Sequence, residues 1–184
     1  GWLRRRLWLV AGGALIVAAG AAVFWAFAAP GAALVLVAAL GLLGQWIRRF
    51  GLRTLLADGV AASLLVAVIG LLLSLVAGTV HGAGLMPTRP GLLAWAVGFL
   101  LPLVSGALSQ LLPVWRWPGP VTPARGQMRQ VLARSGLLRS GLWLASAVAL
   151  LVENERLAGG FFLAGMLLFL VGLLQAVLVS RSTR

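Results

Sequence analysis

The chain has 184 residues, of which 61% are hydrophobic and only 10% charged, and its mean hydropathy is +1.05. A water-soluble domain is about half apolar and a quarter charged, so this composition excludes an ordinary soluble fold and makes lipid the missing solvent. The net charge is +12, from 15 basic and 3 acidic residues, and the absence of cysteine excludes disulfides, iron–sulfur clusters and thiol nucleophiles.

In hydrocarbon, every backbone polar group must be satisfied internally, which leaves helices or closed barrels. Barrel strands would show alternating segments of about ten residues. The apolar runs here are long and do not alternate. The predicted fold class is therefore all-α: one polytopic transmembrane helical bundle over residues 1–184, with about six spans.

The first span is read over residues 7–29. Arg4, Arg5 and Arg6 precede it, but it is too long for a signal-peptide core of about 7–15 residues. Pro30-Gly31 is expected to turn the chain into a short second span, 32–47, closed by Arg48 and Arg49. The third span is read over 54–80 and a polar break over 81–90. The fourth covers 91–114 and ends at Trp115-Arg116-Trp117-Pro118. In the loop that follows, Thr122-Pro123 reads as an N-cap followed by proline at the first helical position. Met128, Val131 and Leu132 then share one helical face and Arg125 and Arg129 another, so residues 122–135 predict a short amphipathic helix lying on anionic headgroups. Spans five and six are read over 137–152 and 157–179. The first residue is Gly, so the chain is expected to be processed, tagged or part of something longer.

All 15 basic residues are arginine and fall at the ends of these runs, as topology signals rather than a nucleic-acid footprint. Six spans place Arg4, Arg5, Arg6, Arg48, Arg49, Arg53, Arg116, Arg125, Arg129, Arg134, Arg139, Arg181 and Arg184 on one side. Arg89 and Arg156 fall on the other. Basic loops stay cytoplasmic, so both termini are expected in the cytoplasm of a bacterial inner membrane. Trp2, Trp8, Trp46, Trp115 and Trp117 fall near the same ends, as an interfacial belt would. Trp25 falls near the opposite face, and none of these tryptophans is assigned a binding role.

Polar groups inside a membrane are costly and often mark function. Asp58 is the only acid near a span interior, with Arg48, Arg49 and Arg53 close enough in sequence to pair with it. Gly59, Ser63, Ala67, Gly70, Ser74 and Gly78 line one face of span three, a pattern that suits close helix packing. Pro102, Ser105, Ser109 and Pro113 line one face of span four together with Gly98, and Gln110 flanks the stripe. Such a face serves either a binding cavity or tight packing. His81, near Met86, is the candidate ligand in the loop opposite the arginines. A lone histidine excludes bis-imidazole haem and three-histidine metal sites, and Glu153 and Glu155 fall on the same side without ligand spacing. No phosphate loop, nucleophile elbow or paired intramembrane acid is present in the sequence, so no enzyme, catalytic residue, metal site or cofactor is expected.

The stretch Gly98-Phe99-Leu100-Leu101-Pro102 through Gly106-Ala107-Leu108-Ser109-Gln110-Leu111-Leu112-Pro113-Val114-Trp115 resembles a helix of bacterial multi-span proteins similar to the haem–copper oxidase catalytic subunit. The resemblance implies at most a related helical bundle. That family's metal-ligating histidines map onto no residue here. The first expectation is a non-enzymatic inner-membrane protein, an accessory or assembly subunit of a respiratory or metal-handling system. The second is a small transporter or channel using the Pro/Ser/Gln face of span four. The third is a haem- or copper-binding redox protein. Expected contacts are the lipid bilayer and a membrane-protein partner or oligomer, with no nucleic acid.

Overall fold

A computed structural model describes residues 2–23, 28–82 and 88–182, and these are helical with short turns and no strand. In chain order the helices are α1 (Trp2–Val23), α2 (Ala28–Phe50), α3 (Leu52–Ala57), α4 (Gly59–Gly82) and α5 (Thr88–Trp95). A π-helical turn (Ala96–Leu100) joins α5 to α6 (Leu101–Arg116). Then follow α7 (Pro123–Ala133), α8 (Gly136–Leu151) and α9 (Glu155–Ser182). Among the described residues, four helical segments are long and apolar enough to cross a membrane: Pro30–Phe50, Gly59–His81, Pro90–Arg116 and Glu155–Val179.

Three boundaries differ from those read in the sequence. Pro30 and Gly31 belong to the first turn of α2 rather than to a turn between spans. Proline is tolerated there because the first four helical N–H groups have no intrahelical partner. Asp58 interrupts the expected third span. It is extended (φ −86°, ψ 109°), and its Oδ1 accepts from the Val60 N–H at 2.9 Å, the geometry of an N-cap on α4. His81, expected in a loop, lies in the last turn of α4.

Side-chain contacts fix the helix directions. Gly70 of α4 meets Gly98, and Ser63 meets Gly106, so α4 and α6 run antiparallel. Gly59 and Ser63 meet Gly136 and Ser140, so α8 runs parallel to α4. Ser146 donates to the Ala158 carbonyl at 2.8 Å and Trp143 lies on Gly165, so α9 returns antiparallel to α8. The α8–α9 turn is a Schellman cap: the Asn154 N–H donates to the Ala149 carbonyl, and the Glu153 N–H to that of Leu150. Glu153 takes the left-handed conformation there (φ 57°). Asn154 Oδ1 then caps α9 by accepting from Leu157. The helix α7 lies across one end of the bundle, with Met128 and Leu132 buried against Ala176 of α9 and beside Leu112 of α6.

The bundle is inside out relative to a soluble one. On α9 the buried residues are Ala158, Gly165, Gly172 and Ala176, while Leu163, Leu167, Leu170 and Leu174 are all more than half exposed. Small residues face the neighbouring helices and leucines face outward, the arrangement that suits helices packing in lipid.

Candidate functional site

The π-helical turn follows from Pro102. Its ring would collide with the carbonyl four residues back, Gly98, and it supplies no N–H to that carbonyl. Widening the helix over Ala96–Leu100 relieves the collision, with the Leu101 N–H bonding to the Ala96 carbonyl. The displaced Gly98 carbonyl rests against Gly70, where a Cβ would overlap it.

Beyond this turn, the stripe of α6 is absorbed by protein. Pro102, Ser105, Ser109 and Pro113 are all buried, and Gln110 beside them is half-buried. Ser105 and Ser109 face Arg139 of α8, which is 0% exposed. Arg139 Nη1 donates to the Leu132 carbonyl at 3.0 Å. Nη2 donates to the Ser105 carbonyl at 3.2 Å and to Ser109 Oγ at 3.0 Å. The guanidinium carbon lies 5.3 Å from the centre of the Phe169 ring, a cation–π contact from α9. Ser109 Oγ in turn donates to the Ser105 carbonyl at 2.8 Å. One side chain therefore ties together α6, α7, α8 and α9.

A buried charge normally needs a counter-ion. The chain's three acids are Asp58, Glu153 and Glu155, and none lies within ion-pair distance of Arg139. The compensation is dipolar. Leu132 is one of the last residues of α7, so its carbonyl belongs to the negative end of that helix. The Ser105 carbonyl, the Ser109 hydroxyl and the Phe169 ring add partial negative charge. Two buried donors, Arg139 Nε and Trp143 Nε1, have no hydrogen-bond partner. Trp143 is packed edge-on to Phe169 at 6.0 Å and lies so close to Gly165 that a Cβ there would come within 2.6 Å of its Nε1.

A second serine network sits beside the first. Ser140 Oγ donates to Ser63 Oγ at 3.0 Å, and the single Ser63 hydroxyl proton is shared between the Gly59 carbonyl at 2.8 Å and the Gly136 carbonyl at 3.3 Å. Among the described residues, these hydroxyls hydrogen-bond to each other and to backbone carbonyls, not to a histidine or carboxylate. Their hydrogen bonds tie α4 to α8.

In the sequence, Arg139 counts with the arginines of the cytoplasmic side, at the start of the span read over 137–152. The structure encloses it within the bundle instead of leaving it at the aqueous end of α8. The available signal was its position two residues into an apolar run, after Leu137-Leu138 and beside Ser140, with Ser105 and Ser109 on a facing helix. The other candidates are not brought together. Asp58 caps α4 and pairs at 3.4 Å with Arg129 of α7 rather than with the arginines nearer in sequence; both partners are nearly half exposed, so the pair contributes little. His81 is half-buried at the far end of α4, and Met86 lies outside the described residues. Of the stripe expected along α4, Gly59, Ser63, Ala67 and Gly70 pack inward, whereas Gly78 is exposed, so only the first half of it is a packing face.

No group of three or more His, Asp or Glu residues able to hold a metal ion occurs among the described residues. Comparison with known protein families, with curated proteins and with solved structures finds no match.

Proposed function

We propose that the chain is a non-enzymatic, six-span protein of a bacterial inner membrane, with both termini in the cytoplasm, acting as an accessory or assembly subunit of a larger membrane complex. The observation that carries this reading is the fate of the α6 stripe. Its serines and prolines, the residues best suited to line a path, are packed or hydrogen-bonded inside the bundle instead. A transporter reading would need that face to open onto a cavity. The respiratory or metal-handling setting rests on the resemblance of Gly98–Trp115 alone.

Two further spans, α1 and α8, complete the six. The helix α8 has 16 residues, about 24 Å at the helical rise, and it lies alongside α4, α6 and α9. With the enclosed Arg139 set aside, the arginine split of twelve against two then orients the protein. Because the chain contains no cysteine, single cysteines can report sidedness directly. With six spans, Val121→Cys is labelled only from the cytoplasm and Arg156→Cys only from the opposite side. Labelling of both from one side would show that α8 does not cross. For the accessory role, gentle detergent extraction of native membranes is expected to recover the chain with a stoichiometric membrane partner. Recovery of a stable, isolated chain would overturn it.

A further inference from the structure

At the end of the bundle where α7 lies, an open groove of roughly 850 Å³ separates α7 from the α3–α4 junction. Asp58, Arg129 and Arg134 line its polar part, and Leu56, Val131 and Leu137 its apolar part. We propose that this groove binds an anionic phospholipid, its phosphate held between Arg129 and Arg134 and its glycerol and upper acyl chain lying against Val131 and Leu137. The proposal rests on the orientation given above, which places α7 at headgroup depth in the cytoplasmic leaflet.

The donors are available. Arg129 spends one Nη2 bond on Asp58, at 3.4 Å, a long contact for a charge-assisted pair. The Arg134 side chain makes no hydrogen bond or ion pair among the described residues and is exposed. Two guanidinium forks can meet the oxygens of one phosphate, and arginine suits that geometry better than lysine. Asp58 sets the charge of the ligand. With one carboxylate against two guanidiniums, the groove carries a single net positive charge, matched by a singly charged phosphodiester. Asp58 Oδ1 is committed to the α4 cap, so only Oδ2 competes for Arg129. The wall favours lipid over soluble phosphate: Leu137 is 41% exposed, and a free anion would leave that surface unused.

The test is native mass spectrometry of the detergent-purified chain, titrated with phosphatidylglycerol, with phosphatidylcholine and with inorganic phosphate as competitor. An arginine beside the bound phosphate contributes about a factor of five to anionic-lipid affinity, an effect that falls off with distance, so R129A/R134A is expected to weaken phosphatidylglycerol binding about thirtyfold. Removing the same charge elsewhere, in R48A/R49A, should change it less than about threefold. Asp58→Asn keeps a capping oxygen but removes the competing charge, and it should tighten binding. Equal losses in the two double variants, phosphatidylcholine binding as tightly as phosphatidylglycerol, or displacement by equimolar inorganic phosphate would each overturn the proposal. None of these readouts depends on a protein partner, so failure here is distinguishable from failure of the subunit role.

Discussion

Replacing Arg139 with alanine is expected to cost about 3 kcal/mol or more of stability, seen as a fall of roughly 10 °C in the thermal transition of the detergent-solubilised protein followed by tryptophan fluorescence. The side chain is fully buried, and three of its hydrogen bonds go to groups on α6 and α7. Hydrogen bonds to a charged group contribute about 1.5–3 kcal/mol each, and truncation leaves the Leu132 carbonyl facing a cavity. Arg139→Met fills the volume but not the acceptors, so it should recover only part of the loss. Arg139→Lys can reach one acceptor and should fall between. A second readout separates this clamp from generic core damage: α7 should loosen first, and trypsin should cut at Arg125, Arg129 and Arg134 well below the global transition. If Arg139→Met unfolds with the wild type and α7 stays protected, the clamp plays no part in stability.

The second large effect is expected at Gly70. A methyl group there would overlap the Gly98 carbonyl, a backbone atom held in place by the π-helical turn. Overpacking typically costs about 1–3 kcal/mol, and more where the obstacle cannot rotate away, so Gly70→Ala should lie at the top of that range and Gly70→Val beyond it. Gly78→Ala, on the same sequence stripe but with nothing within 4 Å of a new Cβ, should be neutral. Because Pro102 displaces the Gly98 carbonyl, Pro102→Ala should let that carbonyl return to its own helix. The double variant Gly70→Ala/Pro102→Ala should therefore be less damaged than the two single losses combined, a coupling that a double-mutant cycle measures. Strict additivity would separate the glycine from the proline.

The helical architecture was legible because its signals are local. Long apolar runs required helices, Pro118 and the arginines marked ends, and Thr122-Pro123 marked the start of α7. The details that position the clamp were not local. Asp58 reads in the sequence as an acid near a span interior, and only the backbone conformation makes it a cap. The α6 stripe reads as cavity or as packing until its opposite number is known, and that partner, Arg139, lies 30 residues from Ser109 in the chain. A rule that treats arginines as markers of the aqueous side hides one that is enclosed, because its compensation comes from the end of α7 and not from any acid visible in the sequence.

The outward leucines and inward small residues of α9 bear on how this surface can change. If hydrocarbon surrounds the helix, swapping Leu167 or Leu174 for another aliphatic residue alters neither solvation nor fit, so the outer face is open to drift or to recruitment of a neighbour. The glycine beneath Trp143 has no such latitude, since even the smallest side chain would lift the helix from its seat. Substitution tolerance along α9 should thus alternate with the turn of the helix, permissive where the residues are large and strict where they are smallest, the reverse of a protein folded in water.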